Sequence, residues 1–221
     1  MNEQLFKQLT QAKQASRHMM TMNTQSKNQA LIKIAQALKE HVLEIINENQ
    51  KDIELAKASG MSDAMVDRLL LNEDRIVAMA DDVLKLVSLD DPVGDIIREI
   101  KRPNGLLIKQ VRVPIGIFGI IYESRPNVTV DIACLCIKSG NVCVLKGGKE
   151  AMHSNRILTK LMREAIKEIL PVDCVQLIDY GGREMVDELI HAYGYVDVVV
   201  PRGGAGLIQH VVQNATVPVI E

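Results

Sequence analysis

The chain has few aromatic residues and no long apolar run, and these absences exclude several classes of protein. Aromatic residues make up 3% of 221 residues and Trp is missing, so the core has to be built from aliphatic side chains. No apolar stretch approaches the roughly 20 residues that span a bilayer, and the polar N-terminal segment lacks the apolar region of a signal peptide. A net charge of −2 does not indicate a nucleic-acid or anionic-membrane binder. We therefore expect a cytoplasmic globular protein.

Cysteine and histidine are also scarce, and neither has the spacing of a metal site. The four cysteines contain no CxxC pair, and the five histidines contain no HxxxH or HExxH pair. Because free cysteine in an apolar pattern behaves as a small hydrophobe, we expect buried, reduced thiols. The histidines are predicted on the surface or on helix faces. The cysteines are Cys134, Cys136, Cys143 and Cys174.

The first 92 residues have helical periodicity. Apolar residues recur at 3.6-residue spacing over 25–49, which predicts one long helix. Gly60 is placed to end a helix, and Ser62 and Asn72 are placed to cap the next two.

Residues 93–113 have the pattern of a β-hairpin. Two short runs with β-branched content, 96–102 and 106–113, flank Asn104 and Gly105. Asn-Gly between extended runs is among the strongest local hairpin signals. Nearby sequence offers nothing to cover the apolar face of this hairpin, so we expect it to pair with a distant strand.

From residue 114 to 221 short apolar runs alternate with helical patterns. This alternation predicts an α/β fold with an open parallel sheet and helices on both faces. The predicted strands are 115–121, 142–146, 175–178, 196–200 and the start of another at 217–220, and the predicted helices are 128–139, 151–169, 183–191 and 204–213.

Glycine and basic residues follow the second of these strands in the motif VLKGGK at 144–149. Gly147 and Gly148 allow the backbone to approach a ligand closely, and the helix that follows presents free N–H groups. The motif is neither a Walker A loop nor a GxGxxG fingerprint. Taken alone, it is better explained as a strand-to-helix turn whose two lysines, Lys146 and Lys149, are solvated.

Two further polar motifs follow strands: ESRPNVT at 123–129 and PRGGAGLI at 201–208. Ligands in open α/β sheets bind at the carboxyl ends of the strands. Each motif also has an ordinary structural explanation. Asn127 could cap a helix, Arg125 could form a surface ion pair, and the second motif could simply be a glycine-rich helix start.

Occurring in this order at strand ends, the three motifs resemble the gamma-glutamyl phosphate reductases, a family of the aldehyde dehydrogenase superfamily. The resemblance covers essentially the whole chain and implies a cofactor-binding domain of the aldehyde dehydrogenase type. In this domain 1–92 would be the N-terminal helices, 93–113 a protruding hairpin that makes a homo-oligomer, and 114–221 the parallel α/β part. It also implies that the catalytic domain, with its nucleophilic cysteine, would follow Glu221, so we expect this chain alone to be inactive.

The activity implied by the resemblance is NADPH-dependent reduction of L-glutamate 5-phosphate to L-glutamate 5-semialdehyde and phosphate, a step of proline biosynthesis. Asn127 matches the residue whose amide donates to the oxyanion in that family, and Arg125 could bind an acidic group of the substrate. Two alternatives remain: another acyl-reducing aldehyde dehydrogenase, or a non-enzymatic nucleotide-binding or partner-binding remnant.

The resemblance also implies which residues bind the cofactor. Lys146 occupies the place of a lysine that contacts the adenosine ribose, next to Gly147 and Gly148. Lys149 stands where relatives that use NAD often carry Glu; an ammonium attracts a 2′-phosphate, so NADP is expected. The turn of Arg202, Gly203 and Gly204 would lie near the pyrophosphate and the nicotinamide.

Overall fold

The computed structural model describes residues 1–221 and contains nine α-helices and six strands. The helices are α1 (Glu3–Met19), α2 (Thr24–Glu40), α3 (Val42–Ala58), α4 (Asp63–Leu69), α5 (Glu73–Ser88), α6 (Asn127–Lys138), α7 (Met152–Ile166), α8 (Arg183–Ile190) and α9 (Ala205–Asn214). The strands are β1 (Ile96–Lys101), β2 (Leu107–Val111), β3 (Ile117–Tyr122), β4 (Val142–Gly147), β5 (Val175–Leu177) and β6 (Val198–Arg202). Short 3-10 helices cover Lys149–Ala151 and Val172–Cys174.

The single helix predicted over 25–49 is wrong, because the chain forms two helices that meet at His41. The backbone of His41 leaves the helical region with φ −107° and ψ 24°, and α3 begins at the next residue. The apolar spacing continues through the break, with Leu38 in α2 and Ile45 in α3 both fully buried. Periodicity alone therefore could not locate the boundary.

Of the three predicted helix boundaries, two are confirmed in full and one in part. The side chain of Asn72 accepts a hydrogen bond from the Arg75 N–H at 2.9 Å and caps α5. Gly60 adopts φ +76° after α3, the left-handed conformation that glycine favours. Ser62 precedes α4 as predicted, but its side chain makes no capping hydrogen bond.

The parallel sheet has four strands in the order β5-β4-β3-β6. The chain winds outward from β3 to β5 and then returns to place β6 on the other side of β3. This reversal is the switch point at which open α/β sheets bind ligands. The strand predicted at 217–220 makes only one bridge, in which the Val199 N–H donates to the Pro218 carbonyl at 2.8 Å.

Helices cover both faces of this sheet, as predicted. On one face, the Gln176 side chain donates to the carbonyl of Gln8 in α1 at 3.2 Å. On the other face, the Tyr122 hydroxyl and the Thr129 hydroxyl of α6 are 2.6 Å apart. Buried side chains of α1, α2 and α5 belong to the same hydrophobic core as those of the sheet, so residues 1–92 and 114–221 fold around one core.

The predicted hairpin forms, and its apolar side chains face solvent. β1 and β2 pair with each other in an antiparallel two-stranded sheet, with Gly105 at φ +86° in the turn. Ile97 and Leu107 are 55% and 47% exposed. This hairpin therefore presents unpaired strand edges as well as apolar surface.

Two further expectations concern membrane-spanning helices and the state of the cysteines. No helix combines the length and apolarity needed to cross a membrane. All four cysteines are buried and unpaired, as predicted. Burial raises the pKa of the Cys134 and Cys174 thiols, which leaves both unreactive.

Candidate functional site

Three turns meet at the carboxyl edge of the sheet, where β3, β4 and β6 end. The Glu123 N–H donates to the Arg202 carbonyl at 3.2 Å, and the Gly204 N–H donates to the Glu123 carboxylate at 2.9 Å. The Ser124 N–H donates to the Glu150 carboxylate at 2.7 Å. ESRPNVT is therefore hydrogen-bonded both to PRGGAGLI and to Glu150, the residue that follows KGGK, although these segments are far apart in sequence.

A cleft of about 740 Å³ opens at this edge, and it is called the glycine cleft below. Its size is that of pockets for drug-sized ligands and cofactors. Lys146, Gly147, Gly148 and Lys149, the residues of the KGGK motif, all line it. The other lining residues are Ile121, Tyr122, Glu123, Gly181, Gly182, Arg183, Val186, Gly206, Leu207 and His210.

Lys146 is the buried cation of the glycine cleft. It is 6% exposed, and its ammonium donates to the Tyr180 carbonyl at 3.3 Å. Burial lowers the pKa of Lys146, and the carboxylates of Glu184 and Asp179 oppose that shift. A cation with one carbonyl partner retains donor capacity for a ligand hydroxyl.

The cleft glycines serve two different purposes. A Cβ on Gly147 would lie 2.2 Å from the Asn155 amide nitrogen, and one on Gly148 would lie 2.2 Å from a Glu150 oxygen. A side chain at 147 would therefore overlap the buried Asn155 and Tyr122, and one at 148 would displace the carboxylate of Glu150. At Gly206, in contrast, a Cβ would meet nothing within 4 Å, so its backbone borders open cleft.

The charges around the cleft are mixed. Lys149 and Arg183 are exposed on its walls, and Glu123 contributes a carboxylate. His210, predicted as a surface residue, also lines the cleft and is 2.7 Å from Asp187. Sequence reasoning missed Arg183, although Gly181-Gly182-Arg183 repeats the glycine-glycine-basic pattern of KGGK.

Asn127 lies at the start of α6, in a neighbouring cleft of about 320 Å³ that Arg125 also lines. The idea that its side chain caps the helix is wrong, because Asn127 is already helical and its amide donates to Asp131 at 2.9 Å. One amide hydrogen is used in that bond and the other stays available. Burial raises the pKa of Asp131, and the amide of Asn127 and the charge of Arg202 oppose this shift.

The third predicted group, Arg202, Gly203 and Gly204, does not line the glycine cleft. Arg202 is exposed and its charge acts on Asp131, near Asn127. A Cβ on Gly203 would lie 2.4 Å from a Glu123 oxygen. The chain reaches the cleft a few residues later, through Gly206 in α9.

Sequence comparison identifies relatives over almost the whole chain. The profile of the aldehyde dehydrogenase family matches residues 2–220. A gamma-glutamyl phosphate reductase of Carboxydothermus hydrogenoformans is 53% identical over 211 residues, which is 95% of this chain and 51% of that protein. One from Clostridium botulinum (strain Alaska E43) is 53% identical over 222 residues, 100% of this chain and 53% of that protein. The chain thus spans about half the length of these curated relatives.

Comparison with solved structures agrees with the sequence comparison. Gamma-glutamyl phosphate reductase from Thermotoga maritima superposes with a TM-score of 0.97 at 43% identity, over 99% of this chain and 53% of that one. The Saccharomyces cerevisiae protein of the same name gives 0.90 at 33% identity, over 97% and 55%. An acetylating aldehyde dehydrogenase from Geobacillus thermoglucosidasius, with 0.78 at 19% identity over 98% and 45%, shares the fold.

Proposed function

Since this chain belongs to the aldehyde dehydrogenase family, we propose that it forms the NADPH-binding part of a gamma-glutamyl phosphate reductase. The reaction would be reduction of L-glutamate 5-phosphate to L-glutamate 5-semialdehyde and phosphate. The observation that carries the proposal is the glycine cleft at the switch point of the sheet, which all four KGGK residues line. The 43–53% identity to proteins of that name over almost the whole chain supports the choice of reaction.

The residues of the cleft fit a nucleotide. Buried Lys146 has an ammonium with spare donors for ribose hydroxyls. The backbone at Gly206 leaves space for close approach of a pyrophosphate, and two helices, α8 and α9, begin at this wall. When bound, the nucleotide would supply the hydride.

Lys149 supports NADPH rather than NADH. Its side chain is exposed at the cleft and forms no ion pair within the chain, so its charge is available to a 2′-phosphate. Arg183, on the cleft wall, would add to the same positive field.

Asn127 would stabilise negative charge on the substrate oxygen. The Asn127 amide nitrogen donates to an Asp131 carboxylate oxygen 2.9 Å away, and this bond fixes which way the amide faces. The free hydrogen of the Asn127 amide would donate to the oxyanion, a contact whose loss typically raises the barrier by about 3–4 kcal/mol. Arg125, in the same cleft, would hold an acidic group of the substrate.

The hairpin of β1 and β2 supports the assembly of several copies of the chain. Exposed apolar side chains and unpaired strand edges would be covered by another copy of the chain. A homo-oligomer formed through residues 93–113 is therefore part of this proposal.

Blocking the cleft without disturbing the fold tests the nucleotide site. In Gly206→Leu the new side chain enters open space and should weaken NADPH binding at least about tenfold by calorimetry, roughly 1.4 kcal/mol. Ala205→Leu is the matched control, because Ala205 is exposed in the same helix turn but does not line the cleft. Equal affinities of both variants and of the wild type would contradict a nucleotide site here.

NADP-dependent oxidation of L-glutamate 5-semialdehyde in the presence of phosphate tests whether the isolated chain catalyses the reaction by itself. Turnover by the isolated chain would favour an enzyme over a nucleotide-binding remnant. NADPH binding without turnover would support the cofactor part of the proposal alone.

A further inference from the structure

The turn between β3 and α6 contains a residue in a disfavoured conformation. Ser124 has a φ of 50° and is the one non-glycine residue with positive φ. In this region the Cβ of an L-residue crowds the backbone, so the conformation persists only where the surroundings hold it. The contacts of Ser124 therefore determine the path that the backbone takes from Ser124 to Arg125 and Asn127.

Those contacts come from Glu150, which lies just after β4, the strand that pairs with β3. One oxygen of its carboxylate accepts hydrogen bonds from the Ser124 N–H at 2.7 Å and from the Ser124 hydroxyl at 3.0 Å. The same carboxylate lies over Gly148, where a Cβ would meet its two oxygens at 2.2 and 2.4 Å. A side chain at 148 would therefore displace the Glu150 carboxylate from its position at Ser124.

We propose that Glu150 is a positioning residue for Asn127. It holds Ser124 in the left-handed conformation and thereby fixes the turn from which the first residue of α6 projects. Because Lys149 lines the glycine cleft and Glu150 is its neighbour in one 3-10 helix, the contact also links the nucleotide wall to the oxyanion donor. This inference rests on the proposed function, in which the position of the Asn127 amide matters.

An acidic residue at this place has a simpler explanation, which makes a different prediction. Glu150 precedes α7, and a negative charge there would interact favourably with the helix dipole. That explanation depends on the charge, so Glu150→Gln and Glu150→Ala should behave alike. The positioning role depends on an oxygen acceptor, so Glu150→Gln should retain it and Glu150→Ala should not.

The experiment compares wild type, Glu150→Gln and Glu150→Ala in the 221-residue chain by ¹H–¹⁵N NMR. The readouts are hydrogen exchange of the Ser124 N–H and the side-chain amide signal of Asn127, assigned by its loss in Asn127→Asp. Glu150→Ala should speed exchange of Ser124 at least about tenfold, a loss of protection, and should shift and broaden the Asn127 signal. Glu150→Gln should leave both close to wild type. If Glu150→Ala does not fold, Glu150→Asp, whose carboxylate is one methylene shorter, replaces it.

Two results would overturn the inference: an Asn127 signal that is unchanged in Glu150→Ala, or a Glu150→Gln variant that behaves like Glu150→Ala. Ser124→Gly in the Glu150→Ala background is a further check, because glycine adopts positive φ without crowding; it should restore part of the wild-type Asn127 signal. None of these readouts needs nucleotide. Failure of the chain to bind NADPH would contradict the proposed function and leave this test intact.

Discussion

Reversing the charge of Lys149 tests the cofactor preference most directly. The side chain is exposed at the rim of the glycine cleft, with no ion pair to another residue. Lys149→Glu would replace an attraction for a 2′-phosphate by a repulsion and would leave contacts to the rest of the nucleotide unchanged. We expect weaker NADPH binding and nearly unchanged NADH binding.

The size of the effect follows from the exposure of the site. Two unit charges about 4 Å apart interact by about 1 kcal/mol in bulk water and about 4 kcal/mol near a protein surface, and a hydrogen bond to a charged group contributes about 1.5–3 kcal/mol. For a solvated lysine we take values between the bulk-water interaction of about 1 kcal/mol and the upper value of about 3 kcal/mol for a charged hydrogen bond. A loss of about 1–3 kcal/mol corresponds to a roughly 5- to 150-fold fall in the preference for NADPH.

Calorimetric titration of both nucleotides measures this ratio, at low and at high salt. Because the charges are solvated, raising the ionic strength from about 0.05 to 0.5 M should reduce the preference of the wild type. Lys167→Glu is the matched control: it makes the same charge change at the exposed far end of α7, a 15-residue helix about 22 Å long. An unchanged ratio in Lys149→Glu, or an equal fall in Lys167→Glu, would refute the reasoning.

The other predictions concern catalysis, assembly and stability. The isolated chain should show no NADPH-dependent reduction of L-glutamate 5-phosphate, because all four cysteines are buried and burial raises the pKa of Cys134 and Cys174. Turnover that is lost when one of the four cysteines is substituted would contradict this prediction. The chain should self-associate at high concentration through its hairpin, and Ile108→Lys, at a 41% exposed position, should reduce that association in light scattering; a strictly monomeric wild type would count against the role of the hairpin. Burial raises the pKa of Asp131 above its value in the unfolded chain, so its ionisation lowers stability as the pH rises through and above the unfolded-state pKa. Asp131→Asn should therefore raise the free energy of unfolding near pH 7 and change it little near pH 3; urea titrations showing the same change at both pH values would exclude this origin. Removing the buried carboxylate of Asp52, which accepts from the Ser154 N–H at 2.8 Å, should lower the free energy of unfolding by about 1–3 kcal/mol, and thermal melts of Asp52→Ala matching wild type would disprove it.

Much of the fold could be read from the sequence because local patterns there agree with the tertiary structure. The alternation of apolar runs and helical patterns after residue 114 predicted the parallel sheet, and Asn104-Gly105 predicted the hairpin. The motif KGGK was recognised because it follows a strand and precedes a helix, and the structure places its four residues in one cleft. These features depend on residues close together in the chain.

The sequence did not reveal the features that depend on residues brought together by folding. The break at His41 keeps the apolar spacing on both sides, so that spacing gave no sign of where α2 ends and α3 begins. The hydrogen bonds from Ser124 to Glu150 cross 26 positions, so no local pattern indicates them. Which glycines border open space and which have a neighbouring side chain against them was likewise undecided: a Cβ on Gly148 would meet the Glu150 carboxylate, and one on Gly206 would meet nothing within 4 Å. By itself, the sequence determined the order of strands and helices and the residues at the strand ends. Only the tertiary structure decided which of those ends share a cleft, because that depends on the return of β6 to the far side of β3.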